Sequence, residues 1–86
     1  MSFSIYQLKE LMYAQLADLA LELKRTGRKM TCDEVIEWIN KNFNFPQPYY
    51  SVRRVFKAAY DRTDDERGDA LQQVFTDKYG RRLLDY

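Results

Sequence analysis

The run Asn42–Pro48, NFNFPQP, constrains this chain more than any other stretch, because no helix passes through it. Pro46 and Pro48 each push the residue before them out of the helical region, and Asn44 tolerates the left-handed conformation that ends helices. The chain must therefore build separate helical segments on either side of this break, within 86 residues. That length makes one small domain around one core, so residues 1–86 are expected to form a single unit. A hydrophobic fraction of 45% with 15% aromatics is enough to fold it.

Upstream of the break, Thr31 and Glu34 stand at the spacing of a capping box, in which the hydroxyl accepts from the N3 amide and the carboxylate reaches back. Met30 and Val35 are placed to close it with a hydrophobic staple, and Asp33 and Glu34 suit the positive end of the helix dipole. Val35, Ile36, Ile39 and Phe43 make the apolar stripe of a helix of about a dozen residues, with Trp38 at its edge. One tryptophan suits a core or rim position better than a base-stacking platform, which presents several exposed rings. Downstream, Pro48 fits the first turn of a helix running from Tyr49 to Arg62. Val52, Val55, Phe56, Ala59 and Tyr60 form its buried face, Phe45 fills the core from the turn, and Tyr50, Ser51, Arg53, Arg54 and Lys57 look elsewhere.

The flanks add two more segments. A helix from Ser4 to Arg25, capped by Ser2-Phe3-Ser4, buries Ile5, Leu8, Met12, Leu16, Leu19 and Leu23 and turns Gln7, Gln15, Asp18, Glu22 and Arg25 outward. Leu11 and Leu21 fall among those polar residues, and either pack under a neighbouring segment or sit singly exposed, or else form a second contact face and hence a homodimer. Gly27 ends the helix, with Lys24 and Arg25 in the last turn, and Arg28 and Lys29 continue the basic cluster either as a solvated loop or as phosphate contacts. After Arg62, Thr63 and Glu66 are spaced as another capping box, for a helix beginning near Asp64. Ala70, Leu71, Val74, Phe75 and Tyr79 keep helical spacing, yet Asp77-Lys78-Tyr79-Gly80 also suits a type I turn joining Val74–Thr76 to Arg81–Leu84 as a hairpin wing. The fold class is thus predominantly α, a three- to four-helix domain with a helix-turn-helix core, closed by a helix or by a β-hairpin.

Composition removes several kinds of chemistry. Without histidine and with the single cysteine Cys32, neither a zinc-finger site nor the usual general base is available, so the expectation is a non-enzyme with no cofactor and no metal. One cysteine excludes an intrachain disulfide and suits a reducing, cytoplasmic compartment, and no run approaches the roughly 18 apolar residues of a membrane span. A net charge of +1, from 14 basic and 13 acidic residues, leaves any nucleic-acid binding to local charge placement. From Tyr49 to Arg62 four basic residues stand against Asp61 alone, a local balance of +3.

Over about residues 30–62, the pattern T-x-x-E-V-I-x-W-I, a short loop and Y-S-V-R-R-V-F-K resembles helix-turn-helix domains of bacterial transcription factors and of some transposases. Their second helix often begins Y-S-x-V-R-R followed by an apolar residue and a lysine. The longer turn with two prolines points to a winged-helix-like variant. The resemblance implies major-groove binding by the second helix and makes Ser51, Arg53, Arg54 and Lys57 the DNA-facing positions. Tyr50 joins them by position, with Arg28, Lys29, Arg81 and Arg82 as candidate contacts to phosphate.

Two functions therefore stand. One is a small double-stranded-DNA-binding transcriptional regulator of phage or mobile-element type, reading the major groove with the 49–62 helix. The other is a non-enzymatic interaction protein, such as a phage-type inhibitor or anti-defence protein, that binds a host protein complex. Near-neutral charge, the acidic Asp61–Asp69 region and seven tyrosines favour the second.

Overall fold

A computed structural model describes residues 4–49 and 51–83 of the chain. Ser4 starts α1 (Ile5–Arg25) with a reciprocal cap: its hydroxyl accepts from the Gln7 amide at 3.2 Å while Gln7 accepts from the Ser4 amide at 2.9 Å. The expected contribution of Ser2 and Phe3 lies outside the described residues. At the other end Gly27 takes φ +68° and is followed by an Arg28 amide bonded to the Leu23 carbonyl at 2.8 Å. Together with the bond from the Gly27 amide to Lys24, this closes the last turn as a Schellman motif.

The chain then extends through β1 (Met30–Thr31), and Thr31 serves as the N-cap of α2 (Cys32–Asn42). The expected capping box is present, with the Glu34 amide donating to the Thr31 hydroxyl at 3.4 Å and the Thr31 amide to the Glu34 carboxylate at 3.1 Å. A long connection follows, and then α3 (Arg53–Asp61), α4 (Asp65–Val74) and β2 (Phe75–Thr76). The result is predominantly helical, with four helices among the described residues, an arrangement consistent with a helix-turn-helix-like fold.

Three local expectations are corrected. The second helix of the motif begins at Arg53 rather than Tyr49. The Tyr49 amide donates to the Asn40 side chain at 3.1 Å and its ring packs edge-on against Phe45 at 4.8 Å, so this residue is tied back to the turn and α2 instead of entering a helix. Rings of Trp38, Phe43, Phe45 and Tyr49 touch in succession, which is how a proline-bearing connection stays ordered. Helix α4 is capped by Asp64, not Thr63: the Arg67 amide donates to the Asp64 carboxylate at 2.8 Å, while the Thr63 hydroxyl bonds back to the Tyr60 carbonyl.

The third correction concerns the chain's end. Phe75 is extended (φ −99°, ψ 126°), so the helix stops at Val74 and Tyr79 is left exposed. β2 pairs in parallel with β1, Met30 opposite Phe75 and Thr31 opposite Thr76. The expected turn does form, with the Gly80 amide bonded to the Asp77 carbonyl at 3.1 Å and Gly80 at φ +80°. The returning strand, however, meets β2 at one antiparallel bridge, Thr76 to Arg82, instead of building a two-stranded wing. The Leu84 end of that expected hairpin lies outside the described residues.

The core is assembled on α1, which packs most extensively along α4 and next against α3, whereas α2 has no comparably extensive contact with another helix among the described residues. Met12, Leu16, Ala17, Ala20, Leu21 and Leu23 of α1 are buried, with Val35 and Ile39 of α2, Val55, Phe56 and Ala59 of α3, and Ala70, Leu71 and Val74 of α4. At 1.5 Å per residue α1 is about 31 Å long and α4 about 15 Å, so α4 covers only half of it. Ile5, expected in the buried stripe, is exposed with Tyr6 at the uncovered end. Leu21 is 7% exposed, closed inside the chain, while Leu11 is 38% exposed. The pair therefore does not make the shared dimer face that their spacing suggested. No described helix is long and apolar enough to cross a membrane.

Candidate nucleic-acid interface

Helix α3 buries Val55, Phe56 and Ala59, with Val52 just before it. At about 100° per residue, that burial turns Arg53, Lys57 and Arg54 together into one outward arc of about 100°. All three are exposed, and none has an ion-pair partner among the described residues. Asp61 falls on the same arc at the far end of the helix, so the positive charge is concentrated in the first two turns. The N-cap residue, Val52, supplies no side-chain acceptor to the first amides. Ser51 is exposed immediately before the helix, and Tyr50 lies outside the described residues.

Three of the acids that follow α3 are engaged away from this face. Asp64 holds Arg67 at 2.8 Å, Asp69 holds Lys24 at 2.6 Å, and Glu66 lies 4.0 Å from Arg25. Arg67 also reaches Asp18 at 2.7 Å, so these charges are spent along the seam between α1 and α4. Arg62, counted in the +3 of the expected helix, is likewise engaged: it binds Glu10 at 2.9 Å, donates to the Ala58 carbonyl and lies over the Tyr13 ring at 5.0 Å. Helix α3 itself carries Arg53, Arg54 and Lys57 against Asp61, a balance of +2.

These ion pairs leave a mark on titration. The Asp64 carboxyl is lowered chiefly by the Arg67 amide it accepts, Asp69 by the Lys24 ammonium, and Asp77 by the Arg81 amide. Carboxyls lowered in the native state stabilise it above their unfolded-state value, and that contribution drains as pH falls through the native values. Thermal melts are thus expected to be level near neutrality and to fall below about pH 4. Asp69→Asn should lower the neutral melting temperature slightly and flatten part of the acid limb. An unaltered acid limb in that variant would show that the Lys24 pair contributes nothing.

The remaining expected contacts separate into two kinds. Arg81 is held by Asp77 at 3.1 Å and lies over the Tyr79 ring at 5.1 Å, which directs it to its own turn. Arg28, Lys29 and Arg82 instead come together, with Lys24, around a cleft of about 280 Å³. Gly27, Gln73, Val74, Thr76 and Gly80 complete its lining. Gln73 and Thr76 carried no site signal in the sequence, because the strand pair that brings Thr76 beside the basic cluster is two residues long and leaves no periodicity to read. No group of side chains suited to hold a metal occurs among the described residues. No protein family, curated protein or solved structure matches the chain.

Proposed function

We propose that this chain is a small duplex-DNA-binding protein of the helix-turn-helix type, a regulator that presents α3 to the major groove with Arg53 and Arg54 toward base edges and Lys57 and Ser51 toward phosphate. What carries the reading is the unpaired cationic arc of α3, left free while the neighbouring acids bind Lys24, Arg25 and Arg67. Arginine reads guanine bidentately, and an uncapped helix start favours a phosphate. The connection between α2 and α3 is longer than a compact turn, in keeping with the departure from the simplest motif that the two prolines imply.

Lys57, the one α3 cation directed to phosphate, gives an expected slope of about −0.9 for log affinity against log salt from this helix. Fluorescence anisotropy on a labelled duplex measures it. Arg53→Ala with Arg54→Ala should abolish binding and leave the thermal melt intact, since both side chains are exposed. Affinity undiminished in that double variant sinks the assignment.

The second reading, an interaction protein, is favoured by a different observation. Ile5, Tyr6 and Leu11 are exposed along the overhanging end of α1, Tyr6 at 80%, and tyrosine is enriched in protein interfaces. A protein partner captured without DNA, and lost on Tyr6→Ala, supports this reading over the first.

A further inference from the structure

The cleft between the end of α1 and the C-terminal turn has a composition and a shape that α3 lacks. It is concave, about 280 Å³, and its walls come from three separated parts of the chain, residues 24–29, 73–76 and 80–82. Lys24, Arg28, Lys29 and Arg82 line it, and among the described residues the one carboxylate bonded to them is Asp69 on Lys24. Four cations less one carboxylate leave a balance of +3 around a small volume.

We infer that this cleft is a phosphate-binding site, taking a phosphate ester or free phosphate against Arg28, Lys29 and Arg82. Thr76 gives the second, independent observation. It is 5% exposed and lines the cleft, so a hydroxyl stands on the wall beside the cations. A threonine hydroxyl can donate to a ligand oxygen that the cations hold there. Donors arriving from three directions match an anion with three or four acceptor oxygens better than the two of a carboxylate.

The local backbone removes the obvious objections. Helix α1 points its negative end here, but the Leu23 and Lys24 carbonyls are occupied by the Arg28 and Gly27 amides, and the Thr26 hydroxyl and amide cover Glu22. Gly27 and Gly80, both at positive φ, have open space where a Cβ would stand, so the backbone at the lip is bare to a close-approaching oxygen. The site stands whether or not α3 binds DNA.

The test is a titration of the isotope-labelled full chain with inorganic phosphate, followed at the Gly27, Thr76 and Gly80 amides against chloride at matched ionic strength. Saturable shifts confined to these positions are expected. Arg28→Gln with Lys29→Gln, both exposed, should weaken them at least about tenfold through loss of charge-assisted bonds, with the melt unchanged. Thr76→Val should weaken them too, which a loose cationic patch would not do. Arms with a 5′-nucleoside monophosphate and with a short duplex identify the source: tighter saturation by the nucleotide assigns a free phosphate ester, and tighter saturation by the duplex assigns a backbone phosphate. Cleft shifts that persist with inorganic phosphate in the Arg53→Ala, Arg54→Ala chain separate this site from the α3 reading. Linear shifts that match chloride, or shifts indifferent to Arg28→Gln with Lys29→Gln, overturn it.

Discussion

Phe56→Ala is expected to remove about 3–5 kcal/mol of stability. The ring is fully buried and lies face to face with Phe75 at 4.5 Å and 7°. It is thus the side chain that joins α3 to the C-terminal strand, and its loss leaves a cavity between elements that close on each other late in the chain. A domain of this size holds roughly 5–15 kcal/mol in all, so the variant should be partly unfolded or close to it at 37 °C. Urea denaturation measures the shift in midpoint. Phe56→Leu, which keeps most of the volume, should cost clearly less. A loss below about 1 kcal/mol for the alanine would mean the ring does not occupy the core.

Ile39→Ala is expected to cost about 2–5 kcal/mol, and to act unevenly over the molecule. Helix α2 lacks a broad contact with another helix, so its hold on the body rests on Val35, Ile39 and Phe43, all buried. Taking out the middle one should free α2 to open locally before the rest unfolds. Hydrogen exchange would then show protection collapsing over residues 32–42 while the α1–α4 seam keeps most of its own. A uniform loss of protection across all four helices would show α2 to be an integral part of one cooperative unit.

How far the sequence could be read follows from what each element depends on. The starts of α1 and α2 and the end of α1 were legible because caps are local: Ser4 with Gln7, Thr31 with Glu34 and Gly27 act within a turn of themselves. The start of α3 was misread because nothing local forbids a helix at Tyr49; a bond to Asn40 from nine residues away decides it. The expected buried face of α1 consists of large apolar residues, Ile5, Leu8, Met12, Leu16, Leu19 and Leu23, and so omits Ala17 and Ala20, which are buried although small. Leu21 is likewise buried inside the chain, which removes the dimer face. For the site, Arg53, Arg54 and Lys57 were legible from helical spacing alone. What spacing could not reveal is that the following acids turn toward α1, since that depends on where α4 docks.

The parallel pairing of β1 with β2 also fixes an order of assembly. Met30 and Phe75 are 75 − 30 = 45 positions apart. Closing a loop of that length costs about 3 kcal/mol beyond a constant, while a ladder of two residues returns only a few net hydrogen bonds. The pair is therefore expected to close after α4 has docked on α1 and carried Phe75 to Met30, a clasp shut around the three helices between its strands. Everything that depends on the clasp, including the gathering of Arg28 and Lys29 beside Thr76 and Arg82, is therefore a property of the finished chain alone, and a nascent chain still short of Phe75 has no such cleft to offer.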